Sequence, residues 1–172
     1  SDLLAVGGYG GYGASAFQPF IDNLVTRGQG TDSTVEFGPW GGAISFDPGV
    51  NWHFDSDPAT VESFANQYDF YSVAIHELGH VFGIGTADSW TAKTSNGAFT
   101  GANSVSANSG NVVLSGGNSH WAEGTMSTVF GTATAQEAAL DPSIGADTRK
   151  YFTTLDFSGL ADVGWNEIGR AH

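Results

Sequence analysis

The sequence lacks cysteine altogether and carries only five lysine and arginine residues. Without cysteine the chain has no disulfides, no thiolate metal ligands and no cysteine nucleophile, so histidine, aspartate and glutamate remain as candidate ligands and catalytic groups. Eighteen acidic residues give a net charge of −13, which disfavours binding to nucleic-acid phosphates and to anionic membranes. No apolar run is long enough to cross a bilayer and no signal-peptide pattern begins the chain, so we expect a soluble mature portion of a protein.

The length of 172 residues suits one domain with a substantial core. A hydrophobic fraction of 40% and an aromatic fraction of 13% argue against a disordered chain, since such chains are poor in these residues. We therefore expect residues 1–172 to form a single, monomeric domain.

Apolar residues at helical spacing, together with capping residues and glycines, predict four helices. They are expected at residues 15–28, near Val61 and Phe64, from Phe70 to Gly83 or Gly85, and within residues 156–165. Residues with period-two character predict strands at 34–37, 43–46 and 50–54, separated by turns that contain proline and glycine.

Residues 86–119 are rich in serine, asparagine, glycine, threonine and alanine and include few large apolar residues. Such a stretch is long for a connection within a compact domain, and its composition would suit a linker between domains. Because candidate metal ligands lie on both sides of it, we interpret residues 84–119 as a loop inserted within one site.

The segment His76-Glu77-Leu78-Gly79-His80 is the strongest candidate for chemistry. Two histidines four residues apart stand on one helix face and can bind a single ion. A catalytic zinc needs a third protein ligand, an open position for water, and a nearby carboxylate that accepts the proton of that water. Glu77 suits the role of this general base. The alternative is a chance match of the pattern on a structural helix.

The choice of a third imidazole is narrow, because the chain has five histidines. His172 is the last residue, where mobility makes a poor ligand. His53 lies in a predicted strand, where we expect a partly buried structural histidine. His120 remains, and Met126, the single methionine of the chain, follows it closely.

These motifs together resemble the metzincin metallopeptidases. The glycine of the metzincin signature, which turns the chain out of the zinc helix, is matched by Gly83, but Thr86 stands where the third histidine would follow. In leishmanolysin-like members an insertion separates that glycine from the third histidine. Residues 84–119 resemble this insertion, His120 resembles the displaced ligand, and Met126 resembles the methionine of the Met-turn.

Other parts of the chain extend the resemblance. Residues 37–42 and 52–55 are similar to the strands that precede the zinc helix in matrixin-type members, and residues 155–165 are similar to the closing helix. The resemblance implies an α+β domain with a mixed twisted sheet, a zinc-binding helix, a Met-turn and a C-terminal helix. It also implies a secreted zinc-dependent endopeptidase.

A protein or peptide substrate would bind extended along a strand at the edge of the cleft. The segment after Met126 is expected to form a wall of the substrate pocket through Thr128, Val129 and Phe130. Thr128 stands where some family members have a tyrosine that stabilises the oxyanion, so no side chain is assigned to that role.

Three alternatives remain open. Glu137 and Asp141 have the Glu-x-x-x-Asp spacing with which gluzincin peptidases supply a carboxylate ligand from a second helix, although such pairs are commonly solvated helix faces. A non-catalytic, zinc-stabilised adhesion or binding module is a second possibility. Calcium is a possible additional ion, with Asp47, Asp55 and Asp57 as candidate ligands.

Overall fold

The computed structural model describes residues 3–10, 15–19, 21, 41–57, 59–60 and 62–165. The helices bounded within these ranges are α1 (Phe70–Val81), α2 (Asp88–Ala92), α3 (Ala102–Asn108) and α4 (Thr154–Val163). The strands are β1 (Ala5–Tyr9), β2 (Gly42–Phe46), β3 (Trp52–His53), β4 (Tyr68–Asp69), β5 (Thr94–Ser95), β6 (Ala98–Phe99), β7 (Val112–Val113), β8 (Met126–Thr128) and β9 (Ala135–Glu137). The fold is α+β, as expected.

The strands form small sheets with both directions of pairing. Strands β1 and β2 are antiparallel, β3 and β4 are parallel, β5, β6 and β7 form an antiparallel three-stranded sheet, and β8 and β9 form an antiparallel pair. Strand β1 also contacts α1, so the first described segment of the chain packs on the helix with the metal-binding motif. Within the described ranges, no helix is long and apolar enough to span a membrane.

Helix α1 confirms the prediction made from the apolar spacing. Asp69 caps its first turn by accepting a hydrogen bond from the Ser72 backbone N–H at 2.9 Å. After Val81 the chain leaves the helix, and Gly83 has φ +108°, a conformation that glycine adopts without strain. The C-terminal helix is also confirmed as α4, which begins with a capping box between Thr153 and Asp156.

Other predicted elements differ from the structure or lie outside the described residues. The strand predicted at 43–46 is confirmed by β2, whereas the one predicted at 50–54 is reduced to the two residues of β3. The short helix predicted near Phe64 is wrong, since residues 62–65 have no regular structure and Asn66 has φ +56°. Most of the predicted helix at 15–28 and the predicted strand at 34–37 lie outside the described residues.

The segment 84–119 contains secondary structure that its composition did not predict, namely α2, α3 and the sheet of β5, β6 and β7. Several of its large apolar residues are buried: Trp90, Phe99 and Val112 are 2%, 0% and 1% exposed. Trp90 stacks on Phe99 with ring centroids 4.1 Å apart and also contacts Trp121 at 5.0 Å. The segment therefore contributes directly to the hydrophobic core.

This packing makes a prediction about stability. Because Trp90 fills the core between Phe99 and Trp121, we expect Trp90→Ala to lower the free energy of unfolding by about 3–5 kcal/mol. Val113→Ala is the control, since Val113 is 62% exposed and should change it by less than about 0.5 kcal/mol. Denaturant titration measures both. A loss below about 1 kcal/mol for Trp90→Ala would show that the segment is peripheral to the core.

Candidate metal centre and active site

Three histidine side chains converge at one point. His76 and His80 project from the same face of α1, and His120 comes from the connection between β7 and β8. Their Nε2 atoms are 3.2 Å apart between His76 and His80, 3.2 Å between His76 and His120, and 3.0 Å between His80 and His120. Among the described residues, these three are the only group of three or more acidic or histidine side chains arranged to hold a metal ion.

The two histidines of α1 are oriented by backbone carbonyl groups. His76 Nδ1 lies 2.7 Å from Ala139 O, and His80 Nδ1 lies 2.8 Å from Ile84 O. Because a carbonyl oxygen only accepts, each Nδ1 must carry the proton and donate it. The Nε2 atom of each ring is then left with its lone pair directed at the centre of the group.

The third histidine completes this arrangement. His120 Nδ1 lies 2.9 Å from the hydroxyl of Ser119, while its Nε2 faces the other two rings. Lone pairs that face each other at about 3 Å repel unless a cation lies among them. Three imidazole nitrogens whose opposite nitrogens are held by oxygen atoms are the donor set that proteins use for zinc, so these residues fit that ion.

Burial keeps the three rings uncharged. Desolvation, together with the smaller effect of the neighbouring histidines, lowers the pKa of His76 to about 3 and that of His120 to about 4. Desolvation also lowers the pKa of His80. Neutral imidazole is the form that binds a metal, so the fold supplies the ligands in the competent protonation state at neutral pH.

Glu77 lies beside the three histidines and is 6% exposed. Desolvation raises the pKa of its carboxyl, while a hydrogen bond donated by the Gly7 backbone N–H acts in the opposite direction. A carboxylate with a raised pKa is a stronger proton acceptor than one in water. The geometry thus places a buried carboxylate next to the candidate metal ligands.

These groups open into a cavity of about 430 Å³. One side is formed by residues 3–7, from the strand β1 and the two residues before it. The rest of the lining includes the three histidines, Glu77, Ala139, Pro142, Ile144 and Lys150. The cavity is therefore a cleft whose walls come from distant parts of the chain.

The expected roles of Met126 and the residues after it are not supported by their positions. Met126 begins β8 and is 56% exposed, whereas a methionine beneath a metal centre would be buried. Thr128, Val129 and Phe130 do not line the cavity. The segment instead pairs with β9 in an antiparallel ribbon.

Residues 138–140 take the place beneath the histidines instead. Ala138, Ala139 and Leu140 are 0%, 3% and 0% exposed, and the Ala139 carbonyl contacts His76. In the sequence these residues are only a short run of small and apolar residues before Asp141-Pro142. The spacing of Glu137 and Asp141 had suggested that this run is helical. Their backbone, not their side chains, makes the contact, so composition gives little indication of it.

The alternative ligand Glu137 is engaged elsewhere. Its carboxylate lies 3.1 Å from Lys150 Nζ, which also contacts Asp141 Oδ1 at 2.7 Å and donates to Ser143 O at 2.9 Å. Neither acidic residue is helical, and Asp141 is 1% exposed, so it does not belong to a solvated helix face. Burial raises the pKa of Asp141 to about 6 despite the ammonium group beside it.

The three candidate calcium ligands are likewise not brought together. Asp47 Oδ1 accepts a hydrogen bond from the Gly49 backbone N–H at 2.7 Å, and Asp55 Oδ1 accepts one from the Asp57 backbone N–H at 2.8 Å. The other oxygen of Asp55 pairs with Arg149 at 2.9 Å. These carboxylates stabilise turns and an ion pair, and within the described residues they form no group that could hold calcium.

Asp156 contacts residues that support the candidate site, which the sequence did not predict. Its side chain is fully buried and accepts five hydrogen bonds of 2.7 to 3.2 Å. The donors are the Thr153 backbone N–H and hydroxyl, the backbone N–H groups of Ala139 and Leu140, and the indole Nε1 of Trp121.

Two of these donors connect Asp156 to the histidines. Ala139 donates to Asp156 through its N–H and contacts His76 through its carbonyl. Trp121 donates to Asp156 and is the residue that follows His120. Asp156 therefore holds the hydrogen-bond partner of His76 and the chain neighbour of His120.

The ligand set is testable with matched variants. We expect His120→Ala to weaken zinc binding by more than about 100-fold, because it removes one of three ligand atoms. His53→Ala should leave the affinity unchanged, since that ring stacks on Phe64 and lies outside the group. Glu137→Ala should also leave it unchanged. Competition with a chromophoric chelator measures all three, and zinc loss in Glu137→Ala with retention in His120→Ala would contradict this ligand set.

A second variant tests the contacts of Asp156. Asp156→Asn presents an amide N–H₂ to groups that are themselves donors, so we expect the free energy of unfolding to fall by about 2–5 kcal/mol. Zinc affinity should fall by about 10- to 100-fold, since two ligands lose their support. Asp88→Asn, an exposed change in α2, is the control for both measurements. Unaltered zinc affinity in Asp156→Asn would limit the role of this carboxylate to folding.

Comparison with known proteins agrees with part of this geometry. The family described as Matrixin matches residues 15–94 of the chain, which is less than half of its length. No curated protein and no solved structure matches the chain. The matched range includes His76, Glu77 and His80 and ends before His120. The match supports a metzincin-type zinc metallopeptidase.

Proposed function

We propose that the protein is a zinc-dependent endopeptidase in which His76, His80 and His120 hold the metal and Glu77 is the general base. The observation that supports this most directly is the convergence of three imidazole Nε2 atoms, 3.0 to 3.2 Å apart, beside a buried carboxylate. The Matrixin match over α1 supports the same activity. The substrate is a protein or peptide.

Different residues of the chain bind the metal, transfer the proton and orient the ligands. A zinc ion held by the three histidines would polarise the scissile carbonyl and lower the pKa of the attacking water. Glu77 accepts a proton from that water at a carboxylate oxygen and delivers it to the nitrogen of the leaving amine. Ala139 and Ile84 hold the rings of His76 and His80 in orientation through their carbonyl groups.

Substrate backbone docks on the free edge of β1. The Asp47 backbone N–H donates to Leu4 O at 2.9 Å, so the even-numbered residues of this segment direct their N–H and C=O groups at β2. In an antiparallel ladder, alternate residues direct these groups to opposite edges. Ala5 therefore presents its N–H and C=O groups, and Gly7 its C=O group, on the side away from β2, where an extended peptide can add as a strand beside the cavity.

Part of the cavity lining favours an apolar side chain. Val73, Pro142 and Ile144 line it, and the charge of Lys150 is already engaged by two carboxylates and a carbonyl. A substrate side chain there would gain from the burial of apolar surface without meeting a free ammonium group. This wall replaces the one expected from Val129 and Phe130.

The finer family assignment belongs to the same proposal. In a leishmanolysin-like plan an insertion lies between the second and third ligands, and residues 84–119 occupy that place between His80 and His120. An extracellular location follows from the family resemblance. Neither a second metal nor calcium is part of the proposal.

The role of Glu77 gives a direct test. We expect Glu77→Gln to retain zinc and to lower peptide cleavage by at least about 100-fold, because the amide cannot accept the proton of the water. Glu62→Gln, which changes an exposed glutamate, should cleave like the wild type. The assay is a peptide-library screen with and without a chelator, together with metal analysis.

The outcomes separate the alternatives. Zinc binding without any chelator-sensitive cleavage in the wild type would favour a non-catalytic binding module. Equal cleavage by Glu77→Gln and the wild type would rule out the proposed base. Absence of both zinc and cleavage in the wild type would overturn the proposal as a whole.

A further inference from the structure

We infer that strand β1 holds the catalytic carboxylate in place and that Gly7 is the positioning residue through which it acts. This inference rests on the proposed function, because it assigns a role to Gly7 in the reaction of Glu77. It is carried by two contacts of Gly7 with Glu77 and by their absence at the neighbouring Gly8.

The first contact is polar. The Gly7 backbone N–H acts on the Glu77 carboxylate as a hydrogen-bond donor and opposes the rise in its pKa that burial causes. The pairing of β1 with β2 explains the direction of this group, because the odd-numbered residues of β1 present their N–H groups on the free edge. A donor at this place restricts the rotation of the carboxylate. Such restriction before the reaction is what lowers the barrier for a positioned base.

The second contact is steric. A Cβ atom on Gly7 would lie 2.6 Å from Glu77 O, 2.9 Å from Glu77 Cβ and 2.9 Å from Glu77 Oε2. Carbon and oxygen atoms do not approach so closely without repulsion, and the Glu77 carbonyl belongs to the backbone of α1 and cannot move aside easily. A side chain at position 7 would therefore push β1 away from the helix and lengthen the hydrogen bond to the carboxylate.

Gly8 provides an internal comparison. A Cβ atom there would meet no atom within 4 Å, although Gly8 is the next residue of the same strand. Neither glycine has a positive φ, so alanine is compatible with the backbone at both positions. The two Gly→Ala changes also reduce the conformational entropy of the unfolded chain equally. They differ only in what the added methyl group meets.

This contrast defines the experiment, made on the zinc-loaded full chain. We expect Gly7→Ala to lower kcat by about 10- to 100-fold, the effect of moving a catalytic group by roughly 1 Å, with KM little changed. Gly8→Ala should keep kcat and KM within about twofold of the wild type. Zinc affinity should be equal in all three proteins, since Gly7 is not one of the three candidate ligands.

A double-mutant cycle with Glu77→Gln separates positioning from general structural damage. If Gly7 acts through the carboxylate, Gly7→Ala should cause little further loss in the Glu77→Gln background, whereas independent effects would multiply. A full additional loss there, equal activity of Gly7→Ala and Gly8→Ala, or faster cleavage by Gly7→Ala would overturn the inference. Loss of zinc or of the folded state in Gly7→Ala would also overturn it. A wild type without chelator-sensitive cleavage would instead refute the proposed function.

Discussion

The buried carboxylate of Asp156 is the constraint on which the site depends. Moving this group from water into the core raises its pKa and costs free energy, which the five hydrogen bonds that it accepts offset. The same bonds fix three parts of the chain relative to one another: the beginning of α4, residues 138–140, and Trp121. Asp156 is distant along the chain from the three histidines of the site. Its hydrogen bonds nevertheless hold the partner of His76 and the chain neighbour of His120.

The hydrophobic core also helps to position His120. The segment 84–119 separates His80 from His120, and bringing its ends together costs chain entropy. Burial of Trp90 and Phe99 against Trp121 offsets that cost, because the insertion contributes its own apolar residues to the common core. The third ligand is thus held in place by the folding of the segment that separates it from the other two.

The sequence predicted the parts of the site that depend on local geometry. His76, Glu77 and His80 lie within one helix, whose period of 3.6 residues fixes their relation without knowledge of the fold. His120 was predicted because few histidines remained. The supporting residues were not predictable, since Ala139 acts through its backbone and Asp156 acts through contacts between distant segments. Met126 was assigned by resemblance. It lies in the β8–β9 ribbon and is largely exposed, which does not fit a position beneath the metal.

The same division between local and non-local order applies to the chemistry. A helix can place two ligands and a base on neighbouring faces, but it leaves the carboxylate of Glu77 free to rotate about its side-chain bonds. Restricting that rotation requires a group from another segment, and the close approach of β1 to α1 supplies one at Gly7. A glycine is required because a donor this near to the helix leaves no space for a Cβ atom. Composition alone shows only a glycine-rich segment, whereas the packed structure gives one of its glycines a specific role.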